Sequence, residues 1–344
     1  MSLVSGIQYS TEFKGRRNAL INGNFDVWQR GTSHSTTGYG SADRWAMYFQ
    51  GSTTQTFSQQ VFTVGQADVP NNPTYYMRNA VTTGGLTTSL SECYQSIEDV
   101  RTFAGETVTI SFWAKATATG KKLGIALYQG FGTGGSPSAA VYDETETIDL
   151  NTTWTKHTVT ATLPSISGKT IGTNGDSQLA LIFVADVGSS MSSYPTFQST
   201  IGTQTVTYDL AQIQIEKGDT ATDFERRSVG EELALCQRYY YYRNISGFTP
   251  ISTFRSSSAG AVMSGEFLLH PTAMRTAPAI TFSASTTVDF IPTGSATSVG
   301  TGTLTTNIVD SNRFNYYATR TGTNGQMYHA VASTSPTVYF DAEF

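Results

Sequence analysis

Strand-length segments in which apolar and polar residues alternate constrain this fold more than any other feature of the chain. The segment "ETVTISFWAKA" (106–116) places Val108, Ile110 and Phe112 on one face. Side chains along a strand have a period of two, so this pattern predicts a half-buried strand. Further strand patterns lie at 122–131, 153–163, 178–187 and 204–216. The 178–187 segment, "QLALIFVADV", is apolar almost throughout, which predicts a strand buried on both faces.

Composition supports an all-β fold. Only 14% of the residues are charged, whereas the chain contains 18 Tyr, 19 Phe and 32 Gly. Aromatic residues and Thr favour strands, and Gly favours turns. The strands of the first 217 residues therefore predict an antiparallel sandwich, with a one-residue bulge in the 204–216 segment before Ile213. Strand patterns after residue 246 predict a second, smaller β-sandwich.

One helix interrupts the strands. Ser228 with Glu231 three residues later forms a capping box, and the apolar stripe that follows predicts a helix over 229–242. Four consecutive tyrosines, 239–242, would then point around most of the helix circumference. We therefore interpret them as buried at the junction of the two domains rather than as a flat binding platform.

A chain of 344 residues predicts more than one domain. The patterns divide it into an N-terminal arm (1–17), a first β-domain (18–227), a linking helix (228–245) and a small C-terminal β-domain (246–344). The arm is polar and ends in "KGRR". We expect it to join the chain to something upstream.

Charge and hydropathy exclude several classes of partner. The formal net charge is −5, with no basic stripe for phosphate contacts, so we expect no nucleic acid partner. We also expect no membrane insertion, because no apolar run approaches the roughly 20 residues that span a bilayer. The N-terminus shows no signal-peptide core, and the two cysteines, Cys93 and Cys236, are expected to be buried small hydrophobes of a chain made in a reducing cytoplasm.

Enzyme motifs are absent from the sequence. The four histidines have no metal-ligand spacing, and no GxSxG elbow occurs. The carboxylates Asp143, Glu144 and Glu146 stand together in a predicted glycine-rich loop (130–147), where solvated acidic residues are common. We therefore expect a protein that is not an enzyme.

Several separated motifs carry a family resemblance. The segments "NALINGNFDVWQRGTS", "SADRWAM", "SFWAKA" and "AQIQIEKGDTATDFERRSVGEELALCQRYY" resemble the jelly-roll module of bacteriophage tail-fibre and receptor-binding proteins, which is similar to carbohydrate-binding modules. The segments "HPTAMRTAPAITF" and "DAEF" resemble the small β-domain that follows it in those fibres. Together these motifs extend over about residues 18–344.

The resemblance implies a fold and a function. The fold would be a jelly-roll β-sandwich, one helix and a second, smaller β-sandwich. The protein would be a virion tail protein made in the host cytoplasm, a homotrimer that binds a host cell-surface glycan without catalysis and contacts other tail proteins through its N-terminal arm. The alternative is a carbohydrate-binding module of a secreted glycan-degrading system.

The resemblance also implies a structural Ca²⁺ near the first strand of the jelly-roll. Asn24, Asp26 and Asp209 would supply its side-chain oxygens, together with backbone carbonyls. Calcium takes six to eight hard oxygen ligands. The sequence has Asp26 where related modules more often have Glu, which shortens the reach of the carboxylate.

Aromatic residues near the glycine-rich loop and in the C-terminal domain are the candidates for sugar binding, because aromatic faces stack on the CH surfaces of sugars. The predicted residues are Tyr128, Phe131 and Tyr142 in the first domain and Tyr316, Tyr317 and Arg320 in the second. The four tryptophans lie in strand or motif positions, and we expect them mostly in the core.

Overall fold

The computed structural model describes residues 16–244, 250–256, 262–269, 271–283, 287–292, 301–308, 313–319, 327–332 and 337–344. The chain divides into an N-terminal unit, Met1–Glu232, and a C-terminal unit, Leu233–Phe344. No helix among the described residues is long and apolar enough to cross a membrane.

The N-terminal unit contains twelve strands and a short helix within its described residues. The strands are β1 (Ser33–His34), β2 (Gly38–Tyr39), β3 (Ala46–Gln50), β4 (Thr54–Val61), β5 (Tyr75–Thr82), β6 (Leu90–Ile97), β7 (Thr107–Ala116), β8 (Lys121–Gly130), β9 (Val141–Leu150), β10 (Thr155–Thr162), β11 (Gln178–Val187) and β12 (Val206–Lys217). Helix α1 (Pro195–Thr200) lies between β11 and β12.

Two six-stranded antiparallel sheets form the predicted β-sandwich. The first sheet has the order β1-β4-β5-β12-β7-β10, and the second has the order β2-β3-β6-β11-β8-β9. From β5 to β12 the chain crosses between the sheets at every connection except β8–β9, as a jelly-roll requires. The core lies between the sheets, where Phe112 of the first sheet meets Phe183 of the second edge to face at 5.0 Å between ring centroids.

The alternation patterns predicted these strands well. Strands β7, β8, β10, β11 and β12 lie within one or two residues of their predicted bounds. The β12 register shifts between Ala211 and Gln214, where one extra residue forms the predicted bulge. Tyr208 before the bulge and Ile213 and Ile215 after it are all fully buried in the core. The bulge therefore keeps the apolar residues on the core face on both sides of the irregularity.

The predicted glycine-rich loop was too long. The segment predicted as a loop over 130–147 ends at residue 140, because strand β9 begins at Val141 and pairs with β8. The acidic residues Asp143, Glu144 and Glu146 thus lie on a strand at the sheet edge. The loop before β12 contains helix α1, whose first helical residue, Pro195, suits a helix start.

Strands also form the C-terminal unit, and a second helix, α2 (Val229–Gln237), contains the division between the units. Its strands are β13 (Tyr240–Asn244), β14 (Pro250–Ser256), β15 (Val262–Leu269), β16 (Ala279–Phe282), β17 (Thr287–Pro292), β18 (Thr301–Ile308), β19 (Arg313–Thr319), β20 (Met327–Ala332) and β21 (Thr337–Asp341). The expected small sandwich takes the form of a closed barrel, β14-β15-β19-β18-β17-β20, and a three-stranded sheet, β13-β21-β16.

Arg275 joins two separated segments of the C-terminal unit, its own and the one at 341–344. Its guanidinium donates from Nε to the Ala342 carbonyl at 2.8 Å and from Nη2 to the Glu343 carbonyl at 2.6 Å. It also lies 4.2 Å from the ring centroid of Phe344. The "HPTAMRTAPAITF" motif therefore holds the "DAEF" segment in place.

The helix prediction was right at its start and wrong at its end. Ser228 caps α2 through a hydrogen bond from the Glu231 amide to its Oγ at 3.2 Å. The helix ends at Gln237, however, and the tyrosines continue as strand β13, paired with β21. Tyrosine favours strands, and pairing with a neighbouring strand outweighs the helical pattern that precedes it.

Three of the four tyrosines pack within the C-terminal unit. Tyr241 stacks on Phe340 at 4.5 Å between ring centroids, and Tyr240 stacks on Tyr339 at 6.5 Å. Tyr239, just before the strand, lies 6.3 Å from Phe344. Tyr242 points outward and is 43% exposed. The interpretation of these rings as buried is confirmed for three of them, but in a strand rather than in a helix.

The strand assignment predicts unequal effects at two neighbouring tyrosines. Tyr241→Ala removes a side chain that is 5% exposed, so it should lower the free energy of unfolding by about 3 kcal/mol or more. Tyr242→Ala, the matched control, should cost less than about 1 kcal/mol. Differential scanning calorimetry of both variants measures the difference, and equal losses would contradict the alternation.

Candidate functional site

A cleft of about 510 Å³ lies on the outer face of the second sheet, the face that points away from the core. Ligand-binding clefts commonly have this size. Alternate residues of β6 separate the two faces: Cys93 belongs to the core, whereas Glu92 and Tyr94 line the cleft. The lining residues are Tyr48, Gln50, Leu90, Glu92, Tyr94, Ser96, Tyr128, Tyr142, Gln178, Ala180, Ile182, Ser190, Met191, Ser192, Ser193 and Tyr194.

The segment that contains α1 forms one wall of the cleft. Glu144 of β9 fixes this helix, because its carboxylate accepts hydrogen bonds from the amides of Thr196 at 2.9 Å and Phe197 at 2.5 Å. Phe197 lies close against β8, where a Cβ on Gly124 would come within 2.8 Å of the Phe197 ring. Glycine at this position lets the helix approach the sheet. The wall therefore rests on β8 and β9 rather than standing free.

Tyrosine rings line the cleft from four strands and from the segment that contains α1. Tyr128 of β8 and Tyr142 of β9 lie 4.8 Å apart between ring centroids, and Tyr142 meets Tyr194 edge to face at 5.5 Å. Tyr142 is 42% exposed, and Tyr48 of β3 is also exposed. Rings held against one another in this way lose little freedom when a ligand stacks on them. The arrangement offers preformed aromatic surfaces with hydroxyl groups.

Glu92 places a carboxylate among these rings. Its Oε1 accepts a hydrogen bond from the Tyr194 hydroxyl at 2.9 Å, and burial raises the pKa of the carboxyl to about 7. Burial raises the pKa values of Tyr94, Tyr128 and Tyr142, and the negative charge of Glu92 raises them further. The pKa of Tyr194 is raised most strongly, by burial and then by Glu92. These tyrosines are therefore neutral hydrogen-bond donors at physiological pH.

The cleft contains no cationic lining residue in the part of the chain that the structure describes. Its polar groups are hydroxyls, amides of Gln50 and Gln178, and the single carboxylate of Glu92. The nearest further acid to influence the rings is Glu144, whose charge also raises the pKa of Tyr194. The electrostatic character of the cleft is thus neutral to negative.

The structure brings two of the predicted sugar-binding residues together. Tyr128 and Tyr142 both line the cleft, 14 residues apart in sequence but side by side on β8 and β9. Their role in binding remains a prediction. Phe131 is a correction: it is 2% exposed, with the Lys169 ammonium 5.9 Å from its ring centroid, so its face is not available for stacking.

For the predicted residues of the C-terminal domain, the structure describes at most the position of the backbone. Tyr316 and Tyr317 lie in strand β19, where Tyr316 pairs with Thr306 and Tyr317 with Thr305 of β18. Arg320 lies outside the described residues. These three residues remain predictions.

Sequence reasoning missed three of the five tyrosines that line the cleft. Tyr48, Tyr94 and Tyr194 and the carboxylate of Glu92 were not among the predicted site residues. The alternation in "LSECYQSI" (90–97) places Glu92 and Tyr94 on one face, and that signal was present in the sequence. No local signal could place Tyr194 beside Glu92, because 101 residues separate them.

The predicted calcium ligands do not fit a metal site. The Asp209 carboxylate accepts bonds from Arg78, with Nε–Oδ1 at 2.7 Å and Nη2–Oδ2 at 2.9 Å, and the Lys115 ammonium lies 3.7 Å from Oδ2. Two cations already neutralise this buried acid, which leaves no charge for Ca²⁺. Asn24 instead donates from its amide to Asp26 Oδ2 at 2.9 Å. No group of three or more acidic, Cys or His side chains suited to a metal occurs among the described residues.

No protein-family model and no curated protein matches the chain. Similar chains are found among the solved structures. The enzymatically active domain of tailspike protein 4 from bacteriophage CBA120 is 11% identical, covering 58% of this chain and 21% of that chain, with a TM-score of 0.33. A xylan-binding domain from Paenibacillus barcinonensis is 15% identical, covering 57% and 99%, with a TM-score of 0.30.

Another similar structure is a family 11 carbohydrate-binding module from Clostridium thermocellum in complex with a β-1,3-1,4-mixed-linked tetrasaccharide. It is 11% identical, covering 54% of this chain and 95% of that chain, with a TM-score of 0.30. The chain spans about a fifth of the tailspike structure that it resembles. At these identities and TM-scores the likenesses carry no argument about function, which rests on the cleft itself.

The raised pKa of Glu92 predicts a pH-dependent stability. The folded protein holds the Glu92 proton more tightly than the unfolded chain does, so this carboxyl favours folding fully below about pH 4.5, and the contribution is lost as the pH rises to about 7. Glu92→Gln should therefore gain stability relative to the wild type by about 2 kcal/mol between pH 5 and pH 8.5. Urea unfolding at both pH values measures this change.

Ser58→Ala on β4 is the control for this titration, because it removes no ionisable group. Its stability difference from the wild type should stay nearly constant over the same pH range. A constant difference for Glu92→Gln as well would show that the cleft carboxyl ionises as it does in water.

Proposed function

We propose that the protein binds a glycan in the cleft of the second sheet, without catalysis, as the receptor-binding part of a phage tail fibre. One observation carries the glycan proposal: tyrosine rings and hydrogen-bonding side chains line a preformed cleft of about 510 Å³. Sugars present apolar CH faces and many hydroxyl groups. Tyr128 and Tyr142 would stack on the former, and Gln50 and Gln178 would bond the latter.

The number of available carboxylates favours binding over hydrolysis. Glycoside hydrolysis uses two carboxyl groups that flank the scissile bond, one as acid and the other as base or nucleophile. Glu92 is the single acidic residue among those that line the cleft in the described chain. The nearby Glu144 accepts two amide hydrogen bonds at the start of α1, which gives it a structural role.

The tail-fibre assignment rests on the motifs. The segments that resemble phage fibres occur in order in both units, and the Arg275 contacts join two of them in the C-terminal unit. A fibre of this kind would be a homotrimer that holds host-surface glycan and attaches to other tail proteins through residues 1–17. The alternative is a carbohydrate-binding module of a secreted glycan-degrading system, which the same cleft would serve.

Loss of the exposed rings tests the glycan proposal. The wild-type protein should bind at least one class of oligosaccharide on a glycan array. Tyr142→Ala and Tyr128→Ala should each weaken that binding tenfold or more, because a stacked ring contributes on the order of 1 to 2 kcal/mol. Tyr75→Ala on β5 is the control, since Tyr75 lies on the first sheet and does not line the cleft. Unchanged binding by both cleft variants would place the site elsewhere.

The oligomeric state separates the tail fibre from its alternative. We expect light scattering to give a mass three times the 37.1 kDa of one chain. Most homo-oligomers have closed symmetry, and the resemblance to phage fibres implies that it is three-fold here. A monomer at micromolar concentration would contradict the fibre assignment and favour the carbohydrate-binding module, while leaving the cleft proposal intact.

A further inference from the structure

We propose that the cleft selects an amino sugar, a saccharide whose primary ammonium group pairs with the Glu92 carboxylate and lies against the tyrosine rings. This inference rests on the proposed glycan function and names the chemical class of the ligand. Its basis is the charge distribution in the cleft, where a carboxylate lacks a cation and neutral aromatic rings surround it.

The Glu92 carboxylate has an incomplete set of partners. Within the described chain, the Tyr194 hydroxyl is the one side-chain donor to its oxygens, at 2.9 Å. Buried carboxylates elsewhere in the unit have either a cation or several donors: Asp209 has Arg78 and Lys115, whereas Asp186 accepts from the Thr53 hydroxyl and the Gln204 amide. Ionising a buried acid without a cation is unfavourable. A ligand with an ammonium group would supply the positive charge that the carboxylate lacks.

The tyrosine rings suit the same group. Tyr128, Tyr142 and Tyr194 form a chain of ring contacts at 4.8 and 5.5 Å, and the negative charge of Glu92 acts on each of them. Cations are attracted to the faces of aromatic rings, most strongly where water is excluded. A carboxylate beside several ring faces is the combination that recognises an ammonium ion, while the sugar ring stacks on an adjacent tyrosine.

The same charges disfavour acidic sugars. No Lys, Arg or His lines the cleft in the described residues, so a uronic or sialic acid would meet Glu92 without a compensating cation. Glu144 lies near enough to act on Tyr194 and adds to the negative potential. Neutral sugars would stack without repulsion, but they would leave the carboxylate unpaired. The expected order of affinity is therefore amino sugar, then neutral sugar, then acidic sugar.

Isothermal titration calorimetry with four tetrasaccharides tests this order. The ligands are β-1,4-linked glucosamine, its N-acetylated form, cellotetraose and tetragalacturonic acid. The glucosamine ligand has ammonium groups where the N-acetylated form has neutral acetamido groups. The wild-type protein should bind the glucosamine ligand at least tenfold more tightly than the N-acetylated form. Glu92→Gln should abolish that preference, so that the glucosamine and N-acetylated ligands bind this variant within about twofold of each other. Glu106→Gln, whose carboxylate is remote from the cleft lining, should behave like the wild type.

Tetralysine controls for the attraction of any cation to a chain of net charge −5. Tetralysine binding as tight as that of tetraglucosamine would overturn the proposal, and so would a glucosamine preference that survives in Glu92→Gln. Equal affinity for the glucosamine, N-acetylated and cellulosic ligands would overturn the ammonium inference but support glycan binding. If none of the saccharides bound and the wider glycan array were also blank, the proposed function itself would fail.

Discussion

Two asparagines, Asn18 and Asn22, organise the backbone at the beginning of the jelly-roll, and Asn18 also ties it to the last strand, β12. Asn18 donates from Nδ2 to the Ile213 carbonyl at 3.0 Å and accepts from the Ile215 amide at 3.1 Å. Asn22 bonds to the carbonyls of Val27 and Asp43 at 2.8 and 3.0 Å. These side chains bond backbone groups that no strand ladder reaches, so their loss would leave several buried polar groups unpaired.

The contacts around the asparagines explain why the motifs stand where they do. A Cβ on Gly23 would lie 2.2 Å from the Ile213 carbonyl oxygen, so this position needs glycine. Arg227 reaches back to the carbonyls of Leu20 and Asn18, and its guanidinium also contacts Glu232. The "NALINGNF" and "DFERRSVGEE" motifs are therefore two sides of one buried polar network. This network connects the beginning of the β-sandwich to the segment that follows its last strand.

How much the sequence predicts depends on whether the signal is local. The alternation of Val108, Ile110 and Phe112 follows from the pleat of a single strand, and it predicted β7 to within one residue. The tyrosines at 239–242 follow a good helix start, yet pairing with β21, about 100 residues later, makes them a strand. A local sequence pattern contains no information about pairing with a strand so far away in the chain. The same limit applies to the cleft, where Tyr128 and Tyr142 were predicted from a loop signal and Tyr194 was not predicted at all.

The cleft and the core use opposite faces of the same sheet. In β6, Cys93 packs into the core while Glu92 and Tyr94 face the cleft, so core packing and cleft lining occupy alternate positions of the same strand. The β11 strand between β6 and β8 is apolar on both faces, which gives the cleft a rigid floor. Beside this strand, Glu92 of β6 is an acid whose ionisation opposes folding. A purely structural sheet would place an apolar residue or an ion pair there, because either would be more stable. A group that costs stability and faces an aromatic cleft is typical of a binding site, where the ligand offsets the cost.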